Sequence, residues 1–364
     1  MYARMCCLRS FMCRNDILPW LINPGEDVRC KLEPFIEDVL LPESIVNTSD
    51  FLPQGHLEAL VVCGLVTIVS APHDNWNVNV RFAVTEQIAF GCLDTWFVIT
   101  QHWGASAIVN RSTKDGLGLF WDRQSLVGVG FGHLRRGVAS LKAQLIGNEL
   151  SVSGFAPWVT GSGWLSWVVY GATLPDGDHV YFRLPHIPGD GYSIGDAQSL
   201  AAVSRTDTRE VTLNLSVAEA YVLDVRPAKD LSNQDEVTLV TSMAPILGLI
   251  ARCLYDWNNE VKADNRETFQ RLFDAFCQMR SDVYALLTDI GAVSVSDRVR
   301  MRQDLHALLE TIVHVWSLSS GGQSNSAGML VIRRRQEAAF FRVFQQTKTL
   351  KDAAIASALS QIAG

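Results

Sequence analysis

The stretch Ser151 to Gly177, SVSGFAPWVTGSGWLSWVVYGATLPDG, constrains this chain more than any other. It opens on an apolar-polar alternation, Leu150 and Val152 against Ser151 and Ser153, which predicts a strand with one buried face. Gly154 and Pro157 interrupt the ladder, Trp158-Val159-Thr160-Gly161 follows, and Trp164 to Thr173 is a second, almost wholly apolar strand. Pro175-Asp176-Gly177 then has the composition of a turn. The two strands are expected to form a hairpin around the Trp-x-Thr-Gly turn. As a purely hydrophobic hairpin it would be poor unless something flat and partly polar lay against it. Trp offers a broad face and one N–H donor, and Thr offers a hydroxyl on a stiff side chain.

At 364 residues the chain is long enough for two or three subdomains sharing a substantial core. A net charge of −7 with no basic stripe argues against nucleic-acid binding. Cys6, Cys7, Cys13, Cys30, Cys63, Cys92, Cys253 and Cys277 contain no C-x-x-C spacing, so no metal site is expected. The first fifteen residues carry Arg4, Arg9 and Arg14 but lack the apolar region of a signal peptide, so reduced thiols and a cytoplasmic setting are expected. Leu57 to Ala71 is apolar but shorter than the roughly twenty residues that span a bilayer, so no membrane span is expected.

Along the chain, Val28 to Leu41, Gln54 to Cys63 and Arg81 to Asn110 read as helices, the last broken near Gly91. His102 on that helix reads as a core residue rather than a catalyst. Strands begin after Leu119. Leu126 to His133 holds Gly128, Gly130 and Gly132 but fails the dinucleotide fingerprint, because His133 stands at the third glycine position. Strands continue through Val180 to Phe182, Glu210 to Leu215 and Ala218 to Val225. From Val237 four helices are expected: Val237 to Lys262, Arg266 to Ile290, Ser296 to Leu318 and Ala327 to Leu359. The fold class is therefore α+β: an N-terminal helical domain, a central β-barrel or sandwich, and a C-terminal four-helix bundle. The expected boundaries are an extension over 1–25, then 26–118, 119–232 and 233–364.

This order, together with Gly154, Trp158, Thr160 and Gly161, resembles the acyl-CoA dehydrogenase family of flavoproteins. Its members carry Gly-x-x-x-Trp-Ile-Thr-Asn-Gly at this place; the Asn is missing here. The resemblance implies an FAD site in which Trp158 packs on the isoalloxazine edge and Thr160 bonds near its reactive nitrogen. It implies that Phe131 and Gly132 stand where the family has a Gly-rich loop. It also implies that Gly321 and Gly322 let backbone approach the cofactor diphosphate, since no Cβ intervenes. One of Arg333 to Arg335 falls near a family Arg. The family's usual base is a Glu in Tyr-Glu-Gly-Thr, and this chain reads Phe344-Gln345-Gln346-Thr347. An amide is no useful base at neutral pH. Glu236, near the place where some relatives put the base, is the replacement candidate.

The function the resemblance implies is FAD-dependent oxidation of the CH–CH bond of an acyl thioester, with electrons passed to a partner or to oxygen. The alternatives are a flavin-dependent monooxygenase or N-hydroxylase on the same fold, or an inactive homologue that only binds. A homodimer or homotetramer is expected, because Leu239 to Leu254 is apolar around much of a helix. A hydrolase is disfavoured, since Ser162 lacks the Gly-x-Ser-x-Gly elbow and no His is placed by sequence to serve it.

Overall fold

The structure is a computed structural model that describes residues 20, 22, 24–42, 51–68, 78–109, 112, 126–135, 140–326 and 329–363. It is α+β, with N-terminal helices, a central sheet and C-terminal helices. It divides into two compact units. One joins Met1–Thr48, Trp76–Leu93 and Asp235–Gly364; the other joins Ser49–Asn75 and Asp94–Gln234.

The second unit holds the sheet. Its strands are β1 (Leu126–Gly130), β2 (Leu141–Ile146), β3 (Glu149–Val159), β4 (Leu165–Thr173), β5 (His179–Pro185), β6 (Tyr192–Ala197), β7 (Arg209–Ala218) and β8 (Val222–Arg226). Their order is β6-β7-β3-β2-β4-β5-β8, with β1 parallel to β4. The sheet is two halves joined at one narrow place, where β2 meets β4 only at Lys142↔Thr173. The expected β3–β4 hairpin does not form. β3 pairs with β2 and β7, whereas β4 pairs with β1 and β5, because each apolar strand finds a fuller partner in its own half. The glycines of β1 serve packing: a Cβ on Gly128 would lie 2.3 Å from Leu165 Cδ1, and one on Gly130 would lie 2.5 Å from Tyr170 Cδ1. Helices α1 (Glu26–Phe35), α2 (Gln54–Val62), α3 (Leu65–Ile68), α4 (Val78–Gly91) and α5 (Leu93–Val109) precede the sheet. Most of α5 belongs to the sheet's unit, where Ala105, Ile108 and Val109 share a core with Val127, Val169 and Tyr181. His102 is a structural residue here. Its Nδ1 accepts from the Val127 N–H at 3.1 Å, and burial lowers its pKa to about 4.

The other unit is helical. It contains the second half of α6 (Ala228–Thr241), α7 (Ala244–Asn258), α8 (Arg266–Leu286), α9 (Val295–Ser320), α10 (Leu330–Val343) and α11 (Lys348–Ala363). Two of the four expected helices are each divided. The first breaks after Thr241, and Pro245 then opens α7, since a proline fits the first turn of a new helix. The last breaks at Phe344–Thr347, where Gln345 takes a φ of +50°. α7 lies so close to α4 that a Cβ on Gly248 would meet the Glu86 carbonyl oxygen at 2.2 Å. Its side chains from Ala244 to Leu254 are buried, so the apolar circumference of this helix is spent inside its own chain and calls for no partner.

Candidate functional site

The turn that follows β3 is held by an unusual loop. Gly161 N–H donates to Thr206 O at 2.8 Å, Ser162 N–H to Asp207 O at 3.0 Å, and Gly163 N–H to Asp207 Oδ2 at 2.6 Å. Trp164 N–H closes onto Gly161 O at 2.9 Å. The loop that accepts these bonds carries Val203 at φ +50° and Asp207 at φ +44°. Left-handed backbone at a β-branched residue costs on the order of 1–3 kcal/mol and persists only where the surroundings over-determine it. Arg205 supplies part of that constraint through a buried ion pair with Asp94 at 2.9 Å. The turn itself needs Gly161, whose φ is +83°.

On this rigid base Trp158 stays 44% exposed, while Val159, Thr160, Gly161 and Ser162 are buried. A large indole this exposed beside a fully tied turn presents a flat apolar face. The Thr160 hydroxyl meets Thr208 Oγ1 at 3.0 Å, Thr208 meets Thr206 Oγ1 at 3.0 Å, and Thr206 donates to Val203 O at 2.8 Å.

A second buried chain starts two residues on. Ser162 Oγ lies 2.7 Å from His186 Nε2, His186 Nδ1 lies 2.6 Å from Tyr192 Oη, and Tyr192 Oη lies 2.7 Å from Tyr170 Oη. Burial lowers the pKa of His186 to about 4, with Asp207 opposing and Arg209 reinforcing the shift. Burial pushes the Tyr192 hydroxyl up to about 12 and Tyr170 well above its ordinary value. The sequence does place a His to serve Ser162, contrary to expectation. β5 returns antiparallel to β4 with Trp167↔Pro185 in register, and His186 N–H bonds Ser166 O at 3.0 Å. The Pro175-Asp176-Gly177 turn was the available signal, because counting outward from it brings His186 back beside the start of β4. Acyl transfer is nevertheless poorly served. The N–H groups of Gly161, Ser162, Gly163 and Trp164 are all spent, leaving no backbone pair in the turn to hold an oxyanion.

The other residues named from sequence are divided between the two units. Phe131 spends its ring on Tyr181, edge to face at 5.7 Å, and a Cβ on Gly171 would lie 2.7 Å from its own Cβ. Gly132 opens the short turn Gly132–Arg135 with open space at its Cα. Arg135, which ends that turn, is half-buried. In the helical unit, Gly321 ends α9 at φ +60°, and a Cβ on Gly321 or Gly322 would meet nothing within 4 Å. Arg335 is exposed, whereas Arg334 is buried between Asp256 and Glu337. Gln345 stands half-buried in its left-handed conformation between α10 and α11. Glu236 lies on α6, with its side chain outside those described. Among the described residues no His, Cys, Asp or Glu cluster could hold a metal.

No family profile matches the chain, and no curated protein matches it by sequence. Solved structures do match. An electron transferring flavoprotein structure of Acidaminococcus fermentans is similar over 93% of this chain and 99% of its own, at a TM-score of 0.76 and 13% identity. Butyryl-CoA dehydrogenase from Megasphaera elsdenii covers the same shares at a TM-score of 0.75 and 14% identity. A 3-HSA hydroxylase from Rhodococcus sp. RHA1 is similar over 92% of this chain and 97% of its own, at 0.67 and 16%. With helices before and after a two-halved sheet in chain order and matches along nearly its whole length, this chain has the acyl-CoA dehydrogenase fold.

Proposed function

We propose that this protein is an FAD-dependent oxidoreductase that oxidises the CH–CH bond of an acyl thioester. The observation that carries the proposal is the exposed Trp158 indole beside a turn whose amides are all tied down. The residues of the turn fit a flavin, because Trp158 supplies an exposed flat face. In the helical unit, taken by itself, Gly321 and Gly322 have open space where a Cβ would stand. When bound, the flavin would supply the hydride acceptor. The chain's own residues would orient it and manage the substrate proton. Gln345 is neutral and cannot take that proton, so the proposed base is Glu236 on α6. Electrons would leave to an electron-transfer partner or to oxygen.

A second activity has one observation in its favour. A neutral amide at 345 suits a monooxygenase or N-hydroxylase, which needs no base for an α-proton. Anaerobic mixing with saturated acyl-CoA separates the two. Bleaching of the flavin supports the dehydrogenase, and Gln345→Glu should accelerate it on the order of 10²–10⁴-fold. No bleaching, with a hydroxylated product from NAD(P)H or reduced flavin and oxygen, supports the monooxygenase. Neither result leaves an inactive binding protein. We further propose a homodimer or homotetramer, supported by exposed Leu318, Val343, Ile355 and Leu359 on the C-terminal helices. A cytoplasmic setting is supported by Cys30, Cys63, Cys92, Cys253 and Cys277, which form no disulfide among the described residues.

A further inference from the structure

The turn carries two hydroxyls, and their hydrogens are committed differently. A hydroxyl has one hydrogen to donate. Thr206 gives its hydrogen to Val203 O, so Thr208 must donate in the bond between Thr208 and Thr206. Thr208 can then only accept from Thr160. The Thr160 hydrogen is therefore spent inward, and its hydroxyl has no donor left for a ligand.

Ser162 belongs to the other chain. With His186 neutral, Ser162, His186, Tyr192 and Tyr170 each carry one polar hydrogen on the atoms that bond. Three bonds join the four groups, so one hydrogen is left over: on Ser162, on Tyr170, or on Tyr192 where that hydroxyl accepts from both neighbours. On Tyr192 it would sit on an oxygen already flanked by His186 Nδ1 at 2.6 Å and Tyr170 Oη at 2.7 Å, with no further acceptor among the described residues. At the Tyr170 end it would sit at 0% exposure, on a ring stacked on Phe182 and packed against Gly130. Tyr192 is the only bonding partner of the Tyr170 hydroxyl among the described residues. A donor orphaned there bears its full desolvation penalty. Ser162 retains 6% exposure, which makes it the cheaper end. The chain is thus polarised outward: Tyr170 donates to Tyr192, Tyr192 to His186 Nδ1, and His186 Nε2–H to Ser162 Oγ. The Ser162 hydrogen is left to point out of the fold.

The groups that face His186 keep it neutral. Burial opposes an imidazolium, and Arg209 adds to that opposition against the single carboxylate of Asp207. An imidazolium would donate at both nitrogens and leave the hydrogen of one tyrosine, Tyr192 or Tyr170, unbonded in the interior. Nor is the chain a proton source, since exporting the Ser162 proton would leave a buried phenolate at Tyr170. It is a fixed donor.

We propose that Ser162, rather than Thr160, is the hydrogen-bond donor that this turn offers to an acceptor atom on the edge of a bound flavin, with His186, Tyr192 and Tyr170 as positioning residues that hold it in the donating state. The ligand rests on the flavin assignment above; the polarity of the chain does not. Two measurements separate them. Nitrogen-15 NMR of selectively labelled histidines, without flavin and at neutral pH, should show His186 as the Nε2–H tautomer, with the signal assigned by His186→Gln. An Nδ1–H tautomer would overturn the proposal whether or not flavin binds. FAD titration should then show Ser162→Ala weakening affinity roughly tenfold, the scale of one hydrogen bond, with a changed visible spectrum. Thr160→Val should weaken it less. The reverse order overturns the proposal, and failure of wild type to bind FAD overturns its ligand along with the flavin assignment. If Ser162→Ala does not fold by circular dichroism, the wild-type tautomer decides.

Discussion

Two buried polar networks occupy the two units, and they are built on opposite principles. In the helical unit the network is charged and its carboxylates are saturated. Arg252 Nε bonds Asp256 Oδ1 at 2.8 Å and Arg334 Nε bonds Asp256 Oδ2 at 2.9 Å. Arg334 Nη1 bonds Glu337 Oε2 at 2.6 Å and Arg333 Nε bonds Glu337 Oε1 at 2.8 Å. Arg252 Nη1 also donates to Phe90 O and Gly91 O, the carbonyls that the end of α4 leaves without helical partners. Burial would raise the pKa of Glu337, but Arg334 and Arg333 outweigh it and bring it down to about 2. In the sheet unit the network from Ser162 to Tyr170 is neutral and ends on an uncommitted hydrogen. The first kind of network joins α4, α7 and α10 into one piece. The second has something to give to a ligand.

Substitutions should separate the two kinds. Arg334→Ala would leave Asp256 and Glu337 buried with one partner fewer each, so it should cost about 3–5 kcal/mol in denaturant unfolding. Gly248→Ala, which overpacks α7 against the α4 backbone without touching charge, should cost about 1–3 kcal/mol in the same assay. Tyr170→Phe should cost only about 1 kcal/mol, because Tyr192 still donates to His186 and no donor is orphaned. A loss at Tyr170 as large as that at Arg334 would break the distinction.

Acid should take the networks apart in sequence. The pKa of His186 falls from 6.5 unfolded to about 4 folded, so its contribution to stability is complete above 6.5 and is lost as pH falls toward 4. Glu337 moves from 4.5 unfolded to about 2 folded, so its contribution is complete above 4.5 and is lost as pH falls toward 2. His102, lowered to about 4, and His306, lowered to about 3, also weaken the fold below 6.5. His186→Gln should remove part of the slope between pH 6.5 and 4 and leave the lower window intact. Glu337→Gln should flatten the lower one.

Much of the fold was legible in the sequence because periodicity reports burial. The helices at Val28–Leu41 and Gln54–Cys63, the break near Gly91, and the strands at Trp164–Thr173 and Val180–Phe182 all follow from which residues had to face a core. Strand partnership was not legible. β3 and β4 are neighbours in sequence and not in the sheet, since pairing depends on complementary faces far along the chain. The division after Thr241 and the left-handed Gln345 were hidden for another reason. Helical periodicity runs on through both places, and only tertiary packing selects the break. At the site, Trp158 and Thr160 stood out as types. The commitment of the Thr160 hydrogen depends on Thr206 and Thr208, more than forty residues away, which no local pattern reveals.

The central claim, that Trp158 and its turn receive a flavin, is tested most directly by reconstitution. Purified protein incubated with excess FAD and desalted should retain about one flavin per chain by visible absorbance, and Trp158→Ala should lower its affinity by roughly tenfold or more, the scale of a lost aromatic stacking partner. Wild-type protein that stays colourless, or a Trp158→Ala variant that binds FAD as tightly as wild type, would contradict it.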